Sequence, residues 1–310
     1  MKGAIAIIGA NGFVGRHLVA LLTAQRRPAL GVVRSEHGAR VVSEYGGTPF
    51  RVPDLQVKSL EGLAPALQGC AGLVYTAAVA APSSGALDRT DPSGLVNVIS
   101  ACRESGVPRI VFLSGLGIAH YGMNPHCTNP YFLAKMAGEV TLFRSGLEVT
   151  VLRPSYIFGT GDEFLSPLIQ RMSGAAAVEI PGDGAYRLQP VSVRDAARAI
   201  LASLDAEAPA PHRVVDLVGP EMISFRALVG RVAVSMRQST AILERPVEEA
   251  LAQARASGYF GLRPHDLACL LCDEVSDPRP VEALLGGPLE TLDEMVLRTI
   301  TEVRAAEARP

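Results

Sequence analysis

The sequence predicts an α/β fold, a doubly wound parallel sheet joined to a smaller, mostly helical C-terminal lobe. Three observations predict it. Short apolar runs alternate with amphipathic segments through the first half of the 310 residues. A glycine-rich loop follows the first of those runs. After Pro154 the alternation loosens, and glycine and proline crowd residues 156–188. A chain of this length hides roughly 75% of its unfolded surface, enough for a full-sized core.

Residues 4–8 are an unbroken apolar run, the pattern of a parallel strand covered on both faces. Val14, Leu18, Leu21 and Leu22 recur at helical spacing, with Arg16, Gln25 and Arg26 on the wet side. Pro28 closes that helix, and residues 29–33 form the second strand. Arg26-Arg27 falls where the helix ends and cations are stabilising, so the pair reads as structural. Residues 48–52 and 73–76 are the third and fourth strands. A helix carrying Leu95, Val96, Val98, Ile99 and Cys102 follows and is stopped by Gly106 and Pro108. Residues 110–113 and 149–152 supply the fifth and sixth strands, the alternation that implies right-handed crossovers. Beyond the irregular stretch come a short strand at 191–193, a helix at 194–204 and a strand at 214–218. Ser224 is placed to cap a helix opening at Phe225, and from about 240 the chain reads as mostly helical.

Composition excludes several classes. The net charge is −2 with both signs interspersed, which makes no case for nucleic-acid or membrane-surface binding. No apolar run reaches the roughly 18 residues of a bilayer span. The nearest, 63–81, is broken by Pro65, Gln68, Gly69 and Gly72. Met1-Lys2-Gly3 runs straight into the first strand, so no signal peptide and a cytoplasmic location are expected. Five cysteines without small-domain spacing argue against a disulfide framework. Cys269-Leu270-Leu271-Cys272 has apolar neighbours and no second pair or histidine cluster, so it reads as helix interior and no metal is expected.

Gly9-Ala10-Asn11-Gly12-Phe13-Val14-Gly15 sits between the first strand and its helix. There the first glycine permits a tight turn, the second lets backbone approach phosphate, and the third lets helix and sheet pack closely. The helix N-terminus then offers unpaired N–H groups to a pyrophosphate. The spacing is GxxGxxG, one residue longer at its start than the usual dinucleotide fingerprint. In this context it implies a Rossmann-type sheet that binds a nicotinamide dinucleotide. The expected division is a dinucleotide-binding domain over 1–155, with returning segments at about 189–218, and an interleaved substrate lobe over 156–310. The second strand ends Val33-Arg34-Ser35, where an acid would hydrogen-bond the ribose 2′-hydroxyl. Arg34 suits a 2′-phosphate instead, so NADP(H) is favoured over NAD(H). Glu36 is the competing residue, because a slip of one or two positions restores an acid.

Tyr131 and Lys135 stand four residues apart on one face of a helix after the fifth strand. Lysine occurs only at positions 2, 58 and 135, in a chain that otherwise uses arginine. Bringing a phenol from a pKa near 10 to about 7 takes roughly 4 kcal/mol. An ammonium about 4 Å away supplies roughly that at an effective dielectric of 20. Tyr131 is therefore expected to serve as general acid for carbonyl reduction or base for alcohol oxidation, with Lys135 lowering its pKa and bonding the ribose.

With both motifs in this order, the chain resembles the short-chain dehydrogenase/reductase superfamily, in its extended and atypical branches related to nucleotide-sugar epimerases. The likeness covers about residues 3–230 and rests on 5–15, Asp54-Leu55, Tyr75-Thr76-Ala77-Ala78, 106–114, 131–139, 152–159 and Arg194-Asp195-Ala196-Ala197-Arg198-Ala199. The run 152–162 is most similar to atypical members related to the nucleotide-binding accessory subunit of respiratory complex I. The resemblance implies that Asp54 and Leu55 contact adenine, Ala77 and Ala78 line the cofactor groove, and Pro154 lies near the nicotinamide. It also implies a Ser or Thr after the fifth strand, for which Ser114 is the candidate; a strand-end hydroxyl bonding backbone is the alternative. Family spacing points one or two places later, at Gly115 or Leu116. Arg153-Pro154-Ser155-Tyr156 lacks the Asn usual in nucleotide-sugar enzymes, which weakens a sugar-nucleotide substrate. The resulting expectation is an NADP(H)-dependent oxidoreductase or epimerase/dehydratase-type enzyme acting on a small-molecule carbonyl or alcohol, with a homodimer allowed. The alternative is a non-catalytic NADPH-binding structural or sensor protein of the same fold.

Overall fold

The computed structural model describes residues 3–53, 62–77, 93–123, 130–206, 212–257, 259 and 264–307. The apolar run after Gly3 becomes strand β1 (Ala4–Ile8), and helix α1 (Phe13–Ala24) follows the glycine loop. Then come β2 (Ala29–Val33), α2 (Glu36–Glu44), β3 (Thr48–Arg51), α3 (Leu63–Leu67), β4 (Cys70–Tyr75), α4 (Ser93–Ser105) and β5 (Arg109–Leu113). A short 3-10 turn at Leu116–His120 leads towards α5 (Pro130–Phe143) and β6 (Glu148–Pro154). The chain continues through β7 (Ile157–Phe158), α6 (Leu165–Met172), β8 (Ala177–Pro181), β9 (Arg187–Leu188), β10 (Val191–Ser192), α7 (Val193–Asp205) and β11 (His212–Leu217). It ends with β12 (Ile223–Ser224), α8 (Phe225–Ser235), β13 (Ala241–Arg245), α9 (Val247–Ser257), α10 (Pro264–Leu270), α11 (Arg279–Leu285) and α12 (Leu292–Glu307).

Seven strands form one parallel sheet in the order β11-β6-β5-β4-β1-β2-β3. This is the expected Rossmann-type doubly wound sheet. Winding reverses between β1 and β4, so a crevice opens beyond their carboxyl ends, where such folds bind ligands. Alternate residues of each strand feed opposite faces. Ile5, Ile7, Val74, Val111 and Leu152 pack with Leu18 and Leu22 of α1 and Ala196 and Ile200 of α7. Ala6, Ile8, Leu73, Ile110 and Val151 pack on the other face with Leu67, Val98, Cys102 and Leu142. A third cluster, including Phe158, Leu165, Ile180, Phe225, Leu228 and Val296, gives the C-terminal lobe its own core. Arg27 at the end of α1 is buried and pairs with Asp205 at 2.8 Å.

Two parts of the lobe depart from the sequence reading. Residues 241–245, expected to be helical, form β13, which pairs in parallel with β8 in the stretch read as poor in strands. Ala, Leu and Glu favour helix, but Val178 and Ile180 bury one face of the pair and Glu179 meets Arg245 at 2.6 Å, so tertiary context overrides propensity. The short strand near 191 pairs with β7, outside the main sheet. Helix α11 also returns to the nucleotide side, burying Val281 against the α7 face. Among the described residues no helix is long and apolar enough to cross a membrane.

Candidate functional site

The glycine loop is shaped by contacts a side chain would destroy. Gly9 has φ +86°, and a Cβ there would sit 2.9 Å from the Ala77 N atom, where the ends of β1 and β4 meet. A Cβ on Gly15 would meet the Ala10 Cα at 2.8 Å and the Gly9 carbonyl oxygen closer still. That glycine therefore lets α1 dock directly on the loop. Gly12 donates to the Gly9 carbonyl at 2.9 Å and stands exposed at the helix entrance. No side chain caps α1, so the N–H groups of Phe13, Val14 and Gly15 open its first turn without a capping oxygen. The cradle fits a pyrophosphate on these grounds. Asn11 lies beside it, its side chain packed against Gly38 of α2.

Arg34 is exposed directly after β2. Ser35 caps α2, its hydroxyl accepting from Gly38 N–H at 3.1 Å. Glu36 pairs with Arg51 at the end of β3, which draws its carboxylate towards that strand. Pro154 is buried at the end of β6, in register with Leu217. Asp54, Leu55 and Ala78 lie outside the described residues, so their expected cofactor contacts stay expectations.

Across the crevice, α5 brings Tyr131 and Lys135 together. Lys135 is only 6% exposed, and its Nζ donates to the Leu113 carbonyl at 2.7 Å and the Ala77 carbonyl at 3.5 Å. It thereby ties the helix to the ends of β5 and β4. The ammonium lies 4.8 Å from the Phe112 ring centroid and 5.4 Å from that of Tyr131. Burial pulls Lys135 down to about 7, with Glu139 opposing. Burial also pushes the half-buried Tyr131 phenol up, helped by Glu274, Cys269 and Glu163. The depression expected from Lys135 is therefore absent in the protein alone. Desolvation of the phenolate outweighs attraction to a cation that burial itself disfavours. Ser114, 1% exposed, donates to Glu139 Oε1 at 2.6 Å, so its hydroxyl is engaged inside the protein.

Comparison with known proteins identifies the family and the fold. The family described as NAD(P)H-binding aligns with residues 9–207, from the first glycine to the end of α7. The chain belongs to the NAD(P)H-binding family. It is 24% identical to dTDP-4-dehydro-6-deoxy-D-allose reductase of a Streptomyces species, over 90% of this chain and 93% of that one. It is 25% identical to the mitochondrial NADH dehydrogenase (ubiquinone) 1 alpha subcomplex subunit 9 of Arabidopsis thaliana, over 84% of this chain and 65% of that one. The solved structure of MoeE5 in complex with UDP-glucose and NAD superimposes with a TM-score of 0.74 at 22% identity, covering 99% of this chain and 100% of that one. Together these findings bear out the resemblance to the extended and atypical short-chain dehydrogenases and the nicotinamide cofactor class.

Three polar residues of this NAD(P)H-binding protein escaped the sequence reading as site members. Glu139 is buried and accepts from Ser114 and from Arg153 at 3.0 and 2.6 Å, locking α5 to β5 and β6. Its signal was legible, because Tyr131, Lys135 and Glu139 repeat every four residues along one helical face. Arg153 is the partner that β6 supplies. Glu274 follows α10 and reaches the site from the lobe; no sequence pattern marks it. Neither Cys269 nor Cys272 is in a disulfide; Cys272 is buried and Cys269 half-buried. Among the described residues no cluster of metal-ligating side chains occurs.

Proposed function

We propose that the protein is an NADP(H)-dependent oxidoreductase or epimerase/dehydratase-type enzyme that acts on a carbonyl or alcohol of a small molecule. The observation that carries this reading is the gathering of Tyr131 and buried Lys135 at the ends of β4 and β5, across from the glycine cradle. Gly9, Asn11, Gly12, Phe13, Val14 and Gly15 would hold the pyrophosphate, Arg34 the 2′-phosphate, and Ala77, Lys135 and Pro154 the nicotinamide end. When bound, the cofactor supplies a hydride donor or acceptor. Tyr131 gives its proton to the carbonyl oxygen in reduction and takes one from the alcohol in oxidation. Lys135, anchored on two carbonyls, fixes the helix turn that carries Tyr131. Ser114 is assigned an orienting role, exercised through Glu139.

The NADP(H) preference rests on the exposed Arg34 and on the pairing of Glu36 with Arg51. Titration with NADPH and NADH, followed by cofactor fluorescence, tests it. Tighter NADPH binding that Arg34→Asp weakens at least tenfold is expected; preference for NADH would reverse the assignment. Hydride transfer to a carbonyl should disappear in Tyr131→Phe while cofactor binding persists. The engaged Ser114 hydroxyl and the complex I relative favour a second reading, a non-catalytic NADPH-binding protein. Tight cofactor binding with no transfer to any carbonyl would select it. The homodimer is retained in the proposal, with Leu133, Met136 and Val140 of α5 as exposed apolar surface for it. Sedimentation would show a monomer if that part is wrong.

A further inference from the structure

Glu274 is an unusual place for a carboxyl. The residue is 6% exposed, and among the described residues neither a cation nor a hydrogen-bond donor meets its carboxylate. Its backbone is firmly placed. Its N–H donates to the Arg187 carbonyl at 2.9 Å, its carbonyl accepts from Ser155 Oγ at 2.9 Å, and the next bridge joins it to Leu188. Ser155 directly follows Pro154 at the carboxyl end of β6, so Glu274 is pinned where the sheet's crevice meets the lobe. From there its charge acts on the Tyr131 phenol more strongly than that of any other side chain.

Among the described residues the surroundings offer no compensation. Glu163, ahead of α6, and Cys269, on α10, act on the same phenol, and both are neutral or negative. Arg187 is committed to Asp273 at 2.6 Å, and Arg153 to Glu139 at 2.6 Å. Asp216 accepts from Ser276 at 2.7 Å. A carboxyl this enclosed, with no partner, costs several kcal/mol to ionise and persists as the neutral acid. Burial alone raises it to about 8. Neutral, it has one O–H to donate and a carbonyl oxygen to accept.

We propose that Glu274 is a substrate-contacting residue: a protonated carboxyl that the C-terminal lobe presents beside Tyr131 to hydrogen-bond a neutral oxygen next to the reacting carbonyl. The substrate it selects is an uncharged molecule with a hydroxyl or carbonyl oxygen neighbouring the reacting one. An anionic group at that point meets an acid where, among the described residues, Arg187 and Arg153 are already paired, and is turned away. This inference rests on the reading of Tyr131 as the substrate's proton donor.

Two readouts on the full chain separate the two claims. The first is infrared difference spectroscopy of the complex with NADP, which cannot transfer hydride to a ketone. At neutral pH a protonated-carboxyl band should be present, absent in Glu274→Gln, and should shift when 2,3-butanedione is added. Absence of that band, or of any shift, overturns the proposal. The second is NADPH oxidation with 2,3-butanedione against 2-oxobutanoate, matched in size but differing in charge. The dione should be preferred at least tenfold in kcat/KM. Its rate should fall above about pH 8 as the Glu274 acid is lost, and that fall should be missing in Glu274→Gln. Glu274→Leu should lose at least tenfold in kcat/KM with NADPH binding unchanged; full activity there overturns the proposal. A shifted Glu274 band without any turnover would keep Glu274 as the protonated carboxyl that contacts the dione and would remove the oxidoreductase reading, and with it the placing beside a reacting carbonyl.

Discussion

Replacing Lys135 by methionine should change how stability responds to pH, in a direction fixed by burial. Lysine ordinarily titrates at 10.5, and in the folded protein burial brings Lys135 to about 7. Below pH 7 both folded and unfolded chains carry the charge, and the fold bears its full desolvation cost. Between 7 and 10.5 the unfolded chain binds more protons than the folded one, so the parent gains stability as pH rises. At about 1.4 kcal/mol per pKa unit, that interval corresponds to roughly 5 kcal/mol. Methionine does not titrate, so the variant lacks this rise.

Methionine also loses the bonds to Leu113 and Ala77 and the contact over Phe112, a penalty of about 1–3 kcal/mol for a stranded carbonyl and about 2 for the cation–π contact. A neutral amine still donates those bonds, so the hydrogen-bond part of that penalty is independent of pH, while the cation–π part fades as the amine loses its proton. The readout is therefore the difference in unfolding free energy between Lys135→Met and parent. It should be most favourable to the variant at pH 6 and move towards the parent by several kcal/mol by pH 10. Urea unfolding followed by far-ultraviolet circular dichroism measures it in a chain without tryptophan. Glu274 and Tyr131 titrate in both chains and largely cancel. A difference that stays flat from pH 7 to 10 would falsify the reasoning, because Lys135 would then keep its ordinary pKa.

Other consequences follow from the same geometry. Gly15→Ala ought to gain about 1 kcal/mol from helix propensity, yet its Cβ would press on Ala10, an overpacking cost of about 1–3 kcal/mol. Reduced thermal stability and abolished cofactor fluorescence enhancement are expected; a stabilised variant that binds normally would refute the docking role of that glycine. Glu139→Gln breaks the pair with Arg153 and should cost about 3 kcal/mol in urea unfolding, since removal of one partner strands the other. Ser114→Ala removes one donor to Glu139 and should cost about 1–2 kcal/mol, with little change in KM. A tenfold rise in KM at unchanged stability would place the Ser114 hydroxyl on the substrate instead.

The inner strands of the sheet were legible because they are largely buried on both faces and so read as near-continuous apolar runs, with 4–8 and 29–33 matching β1 and β2 end to end. The glycine loop was legible for the same local reason: turn, cradle and helix contact all fall within seven residues. The lobe was not, because its structure is made between distant segments. Nothing in residues 241–245 announces that they pair with 177–181, and each alone has helix-forming residues. Glu274 is the extreme case. Its position depends on a bond to Ser155, 119 residues away, and its chemistry depends on enclosure rather than on neighbours in sequence. Tyr131 and Lys135 were readable as a pair, but their charge states were not, since spacing carries attraction and says nothing of desolvation.

The pKa shifts around the site share a cause and a consequence. Lys135, Tyr131 and Glu274 are each driven towards their neutral forms by burial, so these three groups together bring little net charge to the site. Lys135 therefore cannot be what sets the phenol's acidity by itself. A positive charge brought about 4 Å from Tyr131 would stabilise the phenolate by roughly 4 kcal/mol at an effective dielectric of 20, which opposes the upward push of burial. A neutral group in the same place would leave the phenol protonated. On the proposed function, Tyr131 would act as a base beside an oxidised, positively charged cofactor ring and as an acid beside a reduced one, the order that oxidation and reduction of an alcohol–carbonyl pair require. Lys135 contributes by position, holding α5 to the ends of β4 and β5 so that the phenol stands where such a charge would act on it.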